Sequence, residues 1–164
     1  MDAGVTGYSM SGLARLRHRL FHLYFMVRRP ITFGVRGLVH DRTRSSVLLV
    51  RHTYVPGWQL PGGGVEAGET ATEALGRELQ EEGNILLTAE PVLKSLHFNR
   101  RASRRDHVAL YLVETFVETA PKIPDREIAE AAFFQLDRLP DQTSPATLRR
   151  LAEIFQGAPA SPEW

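Results

Sequence analysis

The sequence contains no cysteine, which excludes disulfides, zinc–thiolate sites and thiol catalysis and leaves oxygen and imidazole as the groups able to hold a metal ion. It also lacks any uncharged apolar run of the roughly 18 residues that a membrane helix needs. The nearest candidate, Leu20 to Val27, has only eight residues and includes His22. No convincing small-residue cleavage site follows it, so it does not read as a secretory signal, and a cytoplasmic protein without a transmembrane segment is expected. Internal repeats and low-complexity tracts are missing as well. What remains is a chain of 164 residues, 43% hydrophobic and 24% charged, long enough for one compact domain and short for two. Its net charge of +1 conceals an asymmetry. Residues 1–40 carry six arginines against one acid, Asp2, about +5, which leaves about −4 for the remainder. A basic N-terminal arm on an acidic body is the expectation.

Along the chain, the first ten or so residues are rich in Gly, Ser and Thr and are expected to be poorly ordered. Leu13, Leu16, Leu20, Leu23, Tyr24 and Val27 then recur at helical spacing between Ser11 and Arg29, ringed by Arg15, Arg17, Arg19, Arg28 and Arg29 and stopped by Pro30. Packing on the domain is the plain reading of that helix; a homodimer contact, an anionic membrane or a nucleic acid are the alternatives. Strand patterns follow at Ile31 to Asp41 and Ser46 to His52, joined by a polar hairpin loop over 41–45. The turn Pro61-Gly62-Gly63-Gly64 leads to a helix at 71–83. Further strands are expected at Val92 to Phe98, His107 to Val117 and Ala131 to Leu136, with a basic loop from Asn99 to Asp106. Ser144 and Pro145 fit the N-cap and first position of a last helix. Strands mixed with helices in one small unit imply an α/β sandwich. The division expected is 1–30 as tail and basic amphipathic helix, 31–156 as the domain, and 157–164 as a C-terminal tail.

The helix at 71–83 carries more acid than a packed helix tolerates. Thr70 and Glu73 have capping-box spacing, so the helix starts at Ala71, and Asn84 suits the left-handed residue that ends it. At about 100° per residue, Ala71, Leu75 and Leu79 define the inward stripe. Glu82 falls between Leu75 and Leu79, Glu78 on the flank of the stripe, and Glu81 further round. A solvated acidic face accounts for Glu73 and Glu81 but not for Glu82. A buried unpaired carboxylate is costly or takes up a proton, and like charges at Glu78 and Glu82 lose about 0.2–0.5 kcal/mol even on an exposed helix. A divalent cation removes both problems, and a hard ion such as Mg²⁺ favours carboxylate oxygen. Arg77 points away from the stripe, where a bidentate pair with Glu69 would pin the glycine loop to the helix.

These residues resemble the signature of the Nudix hydrolase superfamily, G-x5-E-x7-R-E-U-x-E-E-x-G-U with U aliphatic, in its MutT-like form. Gly63, Glu69, Arg77, Glu78, Leu79, Glu81, Glu82 and Ile85 occupy its fixed positions, and Trp58-Gln59-Leu60-Pro61-Gly62 precedes them. The one departure is Asn84 in place of Gly, a residue also suited to a left-handed helix terminus. The resemblance implies a Nudix-type α/β/α sandwich with a mixed sheet over residues 31–156, with the N-terminal helix as an extra element. It further implies Glu78 and Glu82 as principal metal ligands, Glu81 as a further ligand or water-polarising group, and the Gly62 carbonyl as another. A carboxylate from a later loop is common in the family; Glu127 is the best candidate, ahead of Glu118 and Asp125, with an ordinary surface role as its alternative. The implied cofactor is Mg²⁺, with Mn²⁺ as a substitute.

By the same resemblance, the chemistry is attack of water on phosphorus across a diphosphate, an acid anhydride bond, with a helix glutamate as base. Glu69, Arg77, Glu78, Glu81 and Glu82 form the expected catalytic set. The substrate is much less legible. Trp58, Tyr54 and Phe98 are placed to stack a base, although packing is the commoner role of such residues. Arg36 and Arg51 are candidates to meet phosphates, as are Arg100, Arg101, Arg104 and Arg105, and Gly63 of the glycine turn is a further candidate for substrate contact; a solvated loop is the plain reading of the arginine run. A small-molecule nucleoside diphosphate linked to another moiety is the expected substrate. An RNA 5′-pyrophosphohydrolase and a non-catalytic nucleotide sensor of the same fold are the alternatives, with nucleic acid less favoured as a partner.

Overall fold

The computed structural model describes Leu20, Phe21 and residues 31–164. Leu20 and Phe21 are helical and exposed; the rest of the helix expected over Ser11 to Arg29 lies outside the described residues. Contacts divide the chain into two units, Met1–Ile31 and Thr32–Trp164. Among the described residues no helix is long and apolar enough to cross a membrane.

In the second unit the elements run β1 (Thr32–Asp41), β2 (Ser46–His52), β3 (Trp58–Gln59), α1 (Ala71–Gly83), β4 (Ile85–Leu87), β5 (Val92–Phe98), β6 (Asp106–Val113), β7 (Phe116–Glu118), β8 (Ile128–Gln135) and α2 (Pro145–Phe155). The main sheet is mixed. β1 pairs parallel with β6 along its length, from Thr32 opposite Asp106 to Val39 opposite Val113, while β2 pairs antiparallel with β1, β3 and β8. β4 and β7 form a separate two-stranded sheet. The hairpin between β1 and β2 closes on Asp41, whose Oδ1 accepts from the Thr43 N–H at 2.9 Å and the Arg44 N–H at 3.1 Å. That local bonding is why the polar stretch turns rather than extends.

Strand parity sorts the core into two layers. Val35 and Val39 of β1 and Leu48 of β2 pack with Ala74, Leu75 and Leu79 of α1. Leu38, Val47 and Leu49, one residue out of phase, pack with Trp58, Leu60 and Leu151 of α2 on the other face. This is the α/β/α sandwich expected from the sequence. Each fully buried leucine contributes about 1.5–3 kcal/mol of transfer free energy.

Four details depart from the strand pattern read in the sequence. β3 and β4 are two and three residues long, too short for a period to register. The strand expected over His107 to Val117 is two: β6 ends at Val113, and after Glu114 and Thr115 the chain pairs with β4 instead. β6 is mostly buried and β7 mostly exposed, and the only mark of the change of sheet in the sequence is the polar pair Glu114-Thr115. β8 begins at Ile128 rather than Ala131, since Ile128 and Glu130 continue the pairing with His52 and Arg51 across a bulge. Residues 157–164, read as a tail, return to β5: Trp164 N–H donates to the Phe98 carbonyl at 3.0 Å and Phe98 N–H to the Pro162 carbonyl at 2.8 Å.

Candidate active site

Helix α1 begins as its sequence dictates. Thr70 Oγ1 accepts from the Glu73 N–H at 3.2 Å, and Glu73 Oε2 accepts from the Thr70 N–H at 2.7 Å, completing the capping box. It ends on Asn84 in the left-handed conformation (φ 54°, ψ 34°). Those two ends fix the helix register and so decide which acids face inward. Leu75 and Leu79 are fully buried, and Glu82 lies with them at 8% exposure.

Opposite Glu82 the glycine loop forms the wall of the site. The Gly63 carbonyl accepts from the Val35 N–H at 2.9 Å, and the Pro61 carbonyl from the Gly37 N–H at 2.9 Å, so the loop lies along β1. Gly62 adopts φ +134°, and a Cβ there would fall 2.2 Å from the Val35 carbonyl oxygen. Only glycine fits that approach. The result is that the Gly62 N–H donates to Glu82 Oε2 at 2.7 Å. At Gly63 a Cβ would lie 2.3 Å from Glu78 Oε1, so the missing side chain is what lets that carboxylate rest against the loop.

Burial pushes the Glu82 carboxyl up to about 7, against the opposing pull of the Gly62 N–H and the Arg36 charge, with Glu78 and Glu127 adding repulsion. Arg36 donates to the Leu60 carbonyl at 2.9 Å. Desolvation lowers its pKa, while the charges of Glu82 and Glu78 resist that shift. His52, 9% exposed, brings Nε2 to 3.5 Å from Glu82 Oε1. Burial and the Arg36 charge lower the pKa of His52, which favours a neutral ring and makes this a weak contact rather than an ion pair. The sequence reading missed His52. The available signal was parity, since it continues the Leu48–Val50 face of β2 towards α1.

Arg77 gathers the outer acids. Its Nη2 donates to Glu69 Oε1 at 2.9 Å and to the Gly64 carbonyl at 3.1 Å, its Nη1 to Glu78 Oε1 at 2.8 Å and Glu81 Oε2 at 3.3 Å. Helix, loop and three acids are thus tied by one guanidinium. Glu78, Glu81, Glu82 and Glu127 line a single open cleft of about 720 Å³, together with Lys122 and Arg126. Asp125 accepts from the Glu127 N–H at 2.9 Å and the Ile128 N–H at 2.8 Å, and from Lys122 Nζ at 2.6 Å. Its side chain therefore shapes the loop that presents Glu127 rather than facing the acids itself. Glu118 lies in β7, paired with Ile85. As they stand, no three His, Asp or Glu side chains among the described residues converge closely enough to chelate an ion, because Glu78 and Glu81 are both held by Arg77. The donor set nevertheless fits a hard divalent cation, as a buried carboxylate with a single close N–H donor sits beside a second carboxylate.

The remaining candidates for substrate contact are scattered. Trp58 is buried at 8% exposure with its ring edge-on to Phe134, a packing position, as its place opposite Arg51 in the sheet requires. Arg51 bonds Glu130 at 2.9 Å. Tyr54 is 68% exposed and its ring lies 5.3 Å from that of His52, and the two line a separate hollow with Arg51. Phe98 lines a different hollow, with Arg100, Arg101 and Arg149.

Comparison with known proteins agrees with this geometry. Among solved structures, a MutT NUDIX hydrolase from Burkholderia pseudomallei superposes with a TM-score of 0.65 at 24% identity, covering 76% of this chain and 98% of that one. A bifunctional NMN adenylyltransferase/ADP ribose pyrophosphatase from Francisella tularensis, complexed with AMP and a Mn ion, superposes with a TM-score of 0.61 at 20% identity, over 88% of this chain and 48% of that one. At those identities the likeness speaks for the fold. An RNA pyrophosphohydrolase from Ruthia magnifica subsp. Calyptogena magnifica is 44% identical over 46 residues, 28% of this chain and 26% of that protein. The chain spans 40% or less of the length of the curated relatives it matches. The model of the NUDIX domain matches residues 28–154, which takes in the whole of the cleft, α1 and all but the last residue of α2, and the chain belongs to the NUDIX family with the fold of the MutT-like hydrolases.

Proposed function

We propose that the chain is a pyrophosphohydrolase, cleaving the diphosphate linkage of a nucleoside diphosphate joined to another moiety, with Mg²⁺ as cofactor and Mn²⁺ as its substitute. The observation that carries this reading is the Glu82 carboxylate, 8% exposed on the inward stripe of α1, against the Gly62 N–H at 2.7 Å and beside Glu78. Glu78 and Glu82 would hold the ion, with Glu81, Glu127 and the Gly62 carbonyl completing its shell. Bound there, a divalent cation supplies charge neutralisation of the diphosphate and activation of the attacking water.

The chain's own groups do the rest. Arg36, held on the Leu60 carbonyl, offers a fixed positive charge for a phosphate oxygen. Lys122 and Arg126, lining the same cleft as the acids, meet the charge of the second phosphate. Arg77 keeps Glu69, Glu78 and Glu81 in register with the loop, a positioning role. Glu81, the most exposed of the three helix acids at 61% for its side chain, is the group to accept the proton of the attacking water. Tyr54, beside His52, is placed to meet the nucleoside end. A sensor of the same fold has no need of the complete set Glu78, Glu81 and Glu82, which favours catalysis.

The test is a hydrolysis screen in Mg²⁺ across ADP-ribose, nucleotide sugars, dinucleoside polyphosphates, NADH, nucleoside triphosphates and 5′-triphosphorylated RNA. Activity on a diphosphate-linked nucleotide, abolished by chelator and restored by Mg²⁺ or Mn²⁺, is expected. Turnover undiminished by chelator, or a Glu82→Gln variant as fast as wild type, contradicts the proposal.

A further inference from the structure

Away from the carboxylate cleft, the turn between β5 and β6, helix α2 and the C-terminal segment enclose a hollow of about 240 Å³. Its walls include Phe98, Arg100, Arg101, Arg149, Glu163 and Trp164, and it shares no lining residue with the cleft. Together with Arg104 and Arg105 on the same turn, five arginines meet two acids, Asp106 and Glu163. Asp106 is already engaged, accepting from Thr32 Oγ1 at 2.7 Å and Asn99 Nδ2 at 2.7 Å. Glu163 faces Arg100 at 3.3 Å with both side chains more than half exposed, a pair that holds its arginine only weakly. Arg101, Arg104 and Arg105 have no ion pair among the described residues.

The hollow has a rigid floor. Arg150, fully buried, bonds His97 at 2.6 Å and Glu153, and its guanidinium lies 5.4 Å from the Trp164 ring centroid. Arg149 donates to the Trp164 carbonyl at 2.8 Å. Above it, the Arg100 guanidinium lies 5.6 Å from the Phe98 ring centroid, so its outward face is a flat cationic plane. The cations lining this region are arginine without lysine, the residue that forks onto phosphate oxygens and also stacks on unpaired bases. The turn enters β6 at Asp106, opposite Thr32 of β1.

We infer that this hollow and the Asn99–Asp106 turn form a binding surface for single-stranded nucleic acid, with the arginines on its phosphates and the Arg100–Phe98 plane beneath a base. An acidic protein segment has charge but no unpaired base, so the aromatic plane separates the two partners. The inference goes beyond hydrolysis and does not require it.

The experiment is fluorescence anisotropy of an end-labelled 12-nucleotide single-stranded RNA with the full chain in EDTA, where turnover is blocked, across a series of salt concentrations. An Arg101→Ala/Arg104→Ala/Arg105→Ala variant is expected to bind about tenfold or more weakly. Its slope of log affinity against log salt should be smaller by about 2, since each lost phosphate contact on a single strand removes about 0.7. Phe98→Leu keeps every charge, so it should weaken RNA binding by several-fold with the slope unchanged. Polyglutamate of equal charge should fail to displace the RNA. Wild type without measurable binding, a triple variant that melts normally and binds like wild type, or displacement by polyglutamate as effective as by RNA each overturns the inference.

Discussion

Gly62 donates its backbone N–H to the buried Glu82 carboxylate at 2.7 Å, and it does so from a conformation, φ +134°, that places it against the Val35 carbonyl. The glycine loop and the helix acid are therefore coupled through a residue without a side chain. Gly62→Ala must move the loop off β1 or distort it, at a cost of about 1–3 kcal/mol. The expected outcome is a melting temperature lower by several degrees together with loss of most activity. A variant that melts and turns over like wild type would show that this approach is not needed.

Arg77 makes its contacts as a fork, with Glu69, Glu78, Glu81 and the Gly64 carbonyl all on one guanidinium. Arg77→Lys keeps the charge and loses the geometry. Activity should fall by about 10–100-fold, the usual cost of removing a group that orients ligands, with a smaller effect on melting. Equal turnover in the lysine variant would mean that charge alone suffices.

His97 is 1% exposed, and burial together with the Arg150 charge lowers its pKa. His97 Nδ1 lies 2.6 Å from Arg150 Nη1 and 2.8 Å from the Ser161 carbonyl oxygen, and Nε2 lies 2.6 Å from Ser95 Oγ. In the unfolded chain a histidine takes up its proton near pH 6.5, above the folded value. Stability should therefore hold above that pH and fall as pH drops from about 6.5 towards the folded pKa. Chemical denaturation at pH 7.5 and 5.5, on wild type and His97→Gln, measures it; the variant should lose much of this pH dependence, and an unchanged dependence would assign it elsewhere.

Asp41 closes the β1–β2 hairpin through Thr43 and Arg44, and those hydrogen bonds hold its carboxyl well below the usual carboxylate range. A depressed carboxylate stabilises above its unfolded pKa, about 4, and that contribution is lost on acidification. Asp41→Ala should cost about 1 kcal/mol at neutral pH and leave activity intact. Denaturant midpoints at pH 7 and pH 3 should show the difference shrinking at the lower pH.

Helix α1 was legible in the sequence almost residue by residue, because its caps and its stripe are local. Thr70 with Glu73, Asn84, and the phase that turns Glu82 inward are all short-range facts, and the structure repeats them. What was not legible depends on distant partners. The break at Glu114–Thr115 exists because β7 finds β4 across the chain, and Trp58 is buried because Phe134 lies against it. His52 sits at the end of an apolar run, and only the sheet brings it to Glu82. Phe98 is aromatic and near arginines as read, but the return of Pro162 and Trp164 to β5 makes its surroundings a separate hollow.

The central claim is that an inward carboxylate on α1 is tolerated because a divalent cation binds beside it. Titrating Mn²⁺ into wild type and Glu82→Gln, with free ion read by electron paramagnetic resonance, tests it without any substrate. Wild type should bind Mn²⁺, Mg²⁺ should compete for the site, and the variant should bind at least about tenfold more weakly. Equal Mn²⁺ affinity in the two proteins would contradict the account.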